Sequence, residues 1–348
     1  MSIQPLPSFS IADVPVQGDT LLAPMDGFSD WPYRSVCREF GSAISYTAFV
    51  NAIDLLAGNP AARRAMYFDP SERPVVIQIF DSDEARLVAA ARLAAETAPD
   101  CIDVNMGCST RCVAGRGAGA GLLKDPGKIG RLVSALCRAV PQPITAKIRL
   151  GWDDAHRNFL EVARAIEDNG GRLIAVHART RAQAYRGEAD WDAIAAIRQA
   201  VSIPVIGGGD IRSPEDIDRM LAHTACQAVM VGRAARGNPW LLQRRVRQQV
   251  PNVEVAAVIG LHLERMLSFH GEPEGILRFR KHLTLYLTPA GLPNDLRRQL
   301  LTTTDRARLL DLLAQAGFPL PGRDLMGRTL SAETPGTPTP LPANTSRA

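Results

Sequence analysis

"PVIGGGDIRSPEDIDRMLAHTACQAVMVGR", residues Pro204–Arg233, reads as strand, helix and strand in direct succession. "PVIGGG" is apolar and ends in glycines. "SPED" is a helix start: Ser213 precedes Pro214, whose fixed φ suits the first turn, and Glu215 suits the positive end of a helix. "AVMVGR" (228–233) is again apolar at nearly every position, as a strand covered on both faces should be. Two strands joined through a helix pair in parallel.

Six runs of the same kind precede this unit: "TLLAPM" (20–25), "ISYTAF" (44–49), "VVIQIF" (75–80), "CIDVNM" (101–106), "ITAKIRL" (144–150) and "LIAVHA" (173–178). Amphipathic segments such as "DEARLVAAARLAAETA" and "RNFLEVARAIEDNGG" lie between them. Ser82 before an Asp-Glu pair and Asp125 before Pro126 mark further helix starts, and Gly170–Gly171 ends one helix. Eight strand–helix units in about 230 residues predict an α/β fold, a (β/α)₈ TIM barrel over residues 18–240. A doubly wound open sheet is the rival; it normally uses fewer strands, and no GxGxxG follows the first strand.

Beyond Pro239 the texture is helical without strands: "PWLLQRRVRQQV", "VAAVIGLHLERMLSFH", "GILRFRKHLTLYL", "PNDLRRQLLTT" and "DRARLLDLLAQA". Residues 241–320 are therefore expected to form a small all-helical C-terminal domain. Residues 1–17 are expected to be irregular. The segment 321–348, ending in "SAETPGTPTPLPANTSRA", is expected to be disordered, since its Pro, Thr and Ser offer little to bury.

The 348 residues are 46% apolar and 22% charged, ordinary for a globular protein with a core of its own. Six cysteines lack the close, even spacing of a secreted disulfide scaffold. "MSIQPLPSFS" has neither a basic start nor an apolar run, and no stretch approaches the ~20 apolar residues that span a bilayer. A cytoplasmic protein with reduced thiols and no membrane partner is expected. Net charge is +4; Leu241–Arg328 holds 13 Lys and Arg against 8 Asp and Glu, an excess of +5 that leaves −1 for the rest. Such a basic C-terminal part suits an anionic partner, the alternative being a solvated helical surface.

In a barrel the reactive groups stand at the C-terminal ends of the strands. Those ends carry Pro24, Met25 and Asp26; Gln78; Asn105 and Cys108; Lys147 and Arg149; His177, Arg179 and Arg181; Gly208, Gly209 and Asp210; and Gly232 with Arg233. The glycine-rich turn leading into a helix, paired with "VGR" in the next unit, points to a phosphate site rather than a plain loop. Lys147 and His177 should face the interior, where an amine without an anionic partner is costly. A structural salt bridge would satisfy it. So would a cofactor bearing delocalised negative charge, such as reduced flavin, with Gln78 at the ring edge.

Cys37, Cys101, Cys137 and Cys226 fall in apolar runs and read as core. Cys108 does not: it follows Gly107 past a strand end, with Arg111 and Arg116 nearby. A thiol at such a lip suits a proton donor. Cys108 and Cys112, with three residues between them, lack the second pair or histidine of a zinc site, so no metal is expected.

Together these stretches resemble the tRNA-dihydrouridine synthases, and among them the bacterial B-type group. The resemblance runs from about Leu22 to Leu313 through "APMDGFSDWPYR", "VNMGC…GAGLLKDP", "KIRLGW", "HARTRAQAYRGEADW", "GGDI", "VMVGRAARGNPW" and "RFRKHLTLYL". It implies an FMN-bearing barrel followed by a helical tRNA-binding domain. The implied reaction reduces a specific uridine of the tRNA D-loop to 5,6-dihydrouridine, with NADPH as reductant. It implies that Pro24, Met25, Asp26, Gln78, Lys147 and His177 border the flavin. Gly208, Gly209, Asp210, Gly232 and Arg233 would hold its phosphate end. Cys108 matches the active thiol, expected to protonate uracil carbon 5 once the base is flipped in. Asn105 would position the uracil; Arg179, Arg181 and Tyr185 would line the tRNA groove, and Arg278, Arg280 and Lys281 would meet phosphates.

Three positions depart from the family pattern: Ser109 stands for a proline, Ala48 for an acidic residue and Gly208 for an asparagine. Cys112 is an addition, and a reversible Cys108–Cys112 bridge would silence the donor. Two rivals remain at this level: an FMN barrel acting on a free small molecule, dihydroorotate dehydrogenase-like, and a non-catalytic tRNA-binding homologue.

Overall fold

A computed structural model describes residues 8–320; the first seven residues and the tail 321–348 lie outside the described part. The chain forms two compact units. One comprises the residues up to Ala235 together with Leu241–Arg244; the other comprises Arg236–Trp240 and the chain from Arg245 onward.

The first unit opens with an antiparallel hairpin, β1 (Ser8–Ile11) and β2 (Val14–Gln17). This corrects the expectation of an irregular start. Ile11 and Val16 are fully buried in the cluster that holds Leu21, Tyr46, Val76 and Cys101, each the first or second residue of a barrel strand. The hairpin thus seals the N-terminal end of the barrel, each of those two side chains gaining about 1.5–3 kcal/mol by burial.

Eight parallel strands follow: β3 (Thr20–Leu22), β4 (Ser45–Tyr46), β6 (Val75–Phe80), β7 (Cys101–Met106), β8 (Ile144–Arg149), β9 (Leu173–His177), β10 (Val205–Gly208) and β11 (Ala228–Val231). A short β5 (Val50–Asn51) pairs with the far end of β6. The order is β3-β11-β10-β9-β8-β7-β6-β4. The seam between β3 and β4 is closed by Ala43 N–H on Thr20 O at 2.9 Å and by Ser42, whose hydroxyl accepts Leu22 N–H at 3.0 Å. The structure is a (β/α)₈ barrel, as predicted. The second run is the exception: 44–49 is not one strand, because Thr47 turns its hydroxyl to Gln78 N–H at 3.0 Å and the chain leaves the ladder until Val50.

Alternation along the strands sorts the side chains. Ile102, Val104 and Met106 of β7, with Ala146 and Ile148 of β8, join the core beneath the surrounding helices. Their neighbours Asp103, Asn105, Thr145, Lys147 and Arg149 fall on the opposite, interior side. Local signals fix the helices. Ser213 and Asp216 cap each other around Pro214 to open the helix Pro214–Thr224. Asp125 accepts Lys128 N–H at 2.8 Å to open Pro126–Ala139. The helix Glu84–Ala95 is capped by Asp83 rather than by Ser82, whose hydroxyl reaches Arg116 O at 3.2 Å.

The second unit is all-helical: Asn252–His270, Glu272–Leu287, Asn294–Thr302 and Arg306–Gln315. The first two pack closely, since a Cβ on Gly275 would stand 2.7 Å from Met266 O. Trp240 is fully buried in this unit, its indole N–H on Glu254 at 2.7 Å, and Gly237 lies against Leu285. Residues 236–240 therefore go with the helices, not with the barrel to which the sequence reading gave them. Among the described residues no helix is long and apolar enough to cross a membrane.

Candidate active site at the mouth of the barrel

Register brings the interior residues of β6 to β9 into contact. Gln78 lies opposite Asp103, Asp103 opposite Thr145, Asn105 opposite Lys147, and Arg149 opposite His177. The lower of these form a polar layer inside the barrel. Asp103, fully buried, accepts Thr145 Oγ1 at 2.6 Å and Gln78 Nε2 at 2.7 Å. Burial raises its carboxyl to about 6, opposed by those two hydrogen bonds and by the charge of Lys147. Gln78 Oε1 accepts Asn105 Nδ2 at 2.8 Å. Asn105 Oδ1 accepts the N–H groups of Gly107 at 3.0 Å and Cys108 at 2.8 Å.

Cys108 begins the loop past β7. It is half-buried beside Phe49, Phe80, Val113 and Ala118, and its sulfur lies 3.1 Å from the Thr110 hydroxyl. Cys112, exposed, reaches the same hydroxyl at 3.5 Å; both thiols are free. The loop folds back so that Ala120 N–H meets Cys108 O at 3.0 Å. Gly119, at φ +55°, allows this: its Cβ would stand 2.9 Å from that same oxygen.

Lys147 is half-buried in the mouth, and its amine forms no hydrogen bond or ion pair with any described residue. Burial, with the neighbouring Arg149 charge, pulls its amine down to about 8, against the pull of Asp103. His177 is held far below the usual imidazole range, first by burial and then by Arg149, Lys147, Arg179 and Arg233. It is neutral at physiological pH, ringed by four cationic side chains. Arg149 braces two loops of the rim, donating to Gly107 O at 2.8 Å in one and to Thr180 O at 3.1 Å and Ala184 O at 2.9 Å in the other.

On β10 and β11 the backbone carries the interest. No described residue accepts the N–H groups of Gly209, Asp210 or Gly232. Gly209 sits at φ +128°, and a Cβ there would meet Ala189 Cβ at 2.8 Å. A Cβ on Gly208 would stand 3.0 Å from Met230 O, so β10 and β11 approach where the family pattern has asparagine. The Asp210 side chain does not face this cradle. It takes Arg179 Nη2 at 2.6 and 2.8 Å and Ala189 N–H at 2.8 Å. Arg179, expected in the tRNA groove, is 1% exposed and also donates to Gly187 O at 2.7 Å. The pair anchors the 186–189 loop.

The same loop presents Tyr185, 56% exposed, with the Arg233 guanidinium 4.3 Å over its ring. Arg181 stacks on Trp152 at 4.4 Å, and the Lys124 amine stands 3.6 Å from that ring. Pro24 and Met25 are half-buried at the end of β3, where Ser29 holds Met25 N–H, and Asp26 is exposed. In the helical unit Arg278 is exposed and paired with Glu274 at 2.6 Å. Lys281 is half-buried. Arg280 is not the free phosphate contact expected: half-buried, it donates to Thr302 O at 2.7 Å and Thr303 O at 3.1 Å, tying two helices. Among the described residues no group of three or more His, Cys, Asp and Glu could hold a metal ion.

Asp103, Thr145 and the bracing role of Arg149 escaped the sequence reading. Their signal was the period of two: Asp103 shares a face with Asn105, and Thr145 with Lys147.

The family model described as dihydrouridine synthase (Dus) matches residues 21–318. The tRNA-dihydrouridine synthase B of Pseudomonas aeruginosa is 38% identical over 287 residues, 80% of this chain and 86% of that protein. The probable tRNA-dihydrouridine synthase of Rhodobacter capsulatus is 36% identical over 318 residues, 89% of this chain and 98% of that protein. Among solved structures, histamine dehydrogenase from Rhizobium sp. 4-9 is similar in fold, with a TM-score of 0.55 at 14% identity; the match covers 89% of this chain and 63% of that one.

Proposed function

The chain belongs to the dihydrouridine synthase family, alongside its B-type members, and from that premise we propose that it reduces a uridine of the tRNA D-loop to 5,6-dihydrouridine with FMN and NADPH. The observation that carries the reading is the partnerless Lys147 amine in a cation-ringed mouth, one strand away from a thiol at the barrel lip. An amine drawn down by burial gains most from an anionic ring system. The acceptor-less N–H groups of Gly209, Asp210 and Gly232 suit a phosphate, and Gly209 leaves room a side chain would fill. The residues thus fit a flavin mononucleotide. Lys147 and His177 would hold its ring, with Pro24, Met25, Asp26 and Gln78 along the border. Gly208, Gly209, Gly232 and Arg233 would hold the phosphate end, Asp210 contributing its peptide rather than its carboxylate.

When bound and reduced by NADPH, the flavin supplies a hydride to uracil carbon 6. Cys108 supplies the proton to carbon 5: the S–H bond breaks, a C–H bond forms, and solvent returns a proton to the thiolate. Thr110, 3.1 Å from the sulfur, orients the thiol. Tyr185 offers an exposed ring for a base, while Arg233, Arg181 and Lys124 offer charge to the backbone. In the helical unit Arg278 and Lys281 are the cations proposed for phosphate contact. Such an enzyme works in the cytoplasm, where tRNA is matured.

The test is Cys108→Ala. Dihydrouridine formation on unmodified tRNA should fall by about a hundredfold or more, while flavin content and NADPH oxidation persist. An unchanged rate would remove Cys108 as the donor. If tRNA from a strain deleted for this protein carries its full set of dihydrouridines, the function itself is refuted.

A further inference from the structure

Asp103 lies two residues before Asn105 along β7 and makes no hydrogen bond to Cys108 or its loop among the described residues. We propose that Asp103 is a positioning residue, whose carboxylate sets the orientation of two carboxamides in series, Gln78 and Asn105, and through them the peptide that carries Cys108. The inference rests on the role given above to Cys108.

The chain of hydrogen bonds is determined from both ends. Asp103 accepts only, taking Thr145 Oγ1 at 2.6 Å and Gln78 Nε2 at 2.7 Å. With its carboxyl raised to about 6, the ionised form predominates at neutral pH. At the other end stand the N–H groups of Gly107 and Cys108, which donate only, to Asn105 Oδ1 at 3.0 and 2.8 Å. Between them Asn105 Nδ2 meets Gln78 Oε1 at 2.8 Å. Each carboxamide has one donating and one accepting end. Turning Gln78 around sets oxygen against the Asp103 carboxylate; turning Asn105 around sets its NH₂ against two peptide N–H groups. Only one arrangement satisfies every link, so the network fixes the orientation of both amides. Gln78 and Asp103 are fully buried, so water cannot replace a lost partner.

The Cys108 peptide is held at three points: its N–H by Asn105, its carbonyl by Ala120 N–H, and the preceding carbonyl of Gly107 by Arg149 Nε at 2.8 Å. Only the first depends on Asp103. Loss of the relay should therefore loosen the thiol without removing the loop.

The polarity can be reversed as a test. In Asn105→Asp the new carboxylate still accepts from Gly107 and Cys108, but it faces Gln78 Oε1; if Gln78 turns, its oxygen meets Asp103. Adding Asp103→Asn resolves the conflict. Asn at 103 donates to Gln78 Oε1, Gln78 donates to Asp at 105, and Thr145 donates to the remaining oxygen. Two readouts are taken on the flavin-bound full-length chain: kcat for dihydrouridine formation, and the rate of iodoacetamide labelling at Cys108, resolved by peptide mass.

N105D should lower kcat by about tenfold or more and change the labelling rate by about as much, the size of one unmade buried hydrogen bond. D103N/N105D should recover most of both losses. Asp103→Leu, which keeps the branched outline but removes the acceptor, should behave like N105D, with KM for tRNA unchanged. If the double variant is no better than N105D in both readouts, or if D103L labels and turns over as the wild type does, the relay is refuted. Labelling needs no tRNA, so it judges the relay even where the wild type fails to make dihydrouridine. Absent dihydrouridine with the labelling pattern intact counts against the function and for the relay.

Discussion

Lys147→Met should make the flavin-free protein more stable. The amine is lowered from 10.5 to about 8 in the folded protein, chiefly by burial. At about 1.4 kcal/mol per unit, holding it charged at pH 7 costs the fold roughly 3 kcal/mol, an upper value because the residue is only half-buried. Met fills nearly the same volume without a charge. Urea unfolding of flavin-free wild type and variant at pH 7 should show K147M ahead by up to that amount. The sign with pH follows from linkage: between about 8 and 10.5 the unfolded chain binds more protons at this site than the folded one, so wild-type stability rises with pH in that window. The advantage of K147M should therefore shrink above pH 8. The same variant should bind flavin more weakly, because the charge that burdens the empty mouth is the one an anionic ring would use. If K147M is no more stable than wild type at pH 7 and the gap is flat with pH, the amine has a protein partner and the argument for an anionic ligand at the mouth fails.

Two further outcomes follow from the rim. Gly209→Ala places a side chain at φ +128° and 2.8 Å from Ala189 Cβ, so it should cost about 1–3 kcal/mol in urea unfolding and release flavin, read by absorbance after gel filtration. Tyr185→Ala removes an exposed ring beneath Arg233 and should weaken tRNA turnover by roughly 5- to 100-fold in kcat/KM, while Tyr185→Phe stays near wild type; equal loss in both would mean that the hydroxyl, not the ring face, matters.

What was legible in the sequence was whatever is chemically out of place where it stands. Lys147 in an apolar strand, Cys108 just past a glycine and three glycines at a strand end each contradict the ordinary use of their position. Each could be singled out without knowing its neighbours. The barrel was legible for a similar reason: eight apolar runs with capped helices between them fix a period that few architectures share. The hairpin at residues 8–17 was not, because its two four-residue strands, among the described side chains, fully bury only Ile11 and Val16, against the far end of a barrel that the sequence cannot close.

The residues that stayed hidden are polar groups whose meaning lies in a partner far along the chain. Arg179 was placed in the RNA groove through the family resemblance, and nothing in its own stretch of sequence says that it is buried. Its burial depends on Asp210, 31 residues away, and on the carbonyls of a loop that the pair itself holds. Asp103 read as one more strand residue because nothing in "CIDVNM" says that Thr145 and Gln78 will arrive on either side. Register supplies that information, and register follows from closure of the whole barrel. Groups proposed to meet a ligand can therefore be singled out from their own chemistry, whereas groups that hold those in place can be found only from the fold. Here the two kinds alternate on one strand, Asp103 below Asn105 and Asn105 below Cys108. A substitution that leaves every ligand contact intact can thus still move the thiol.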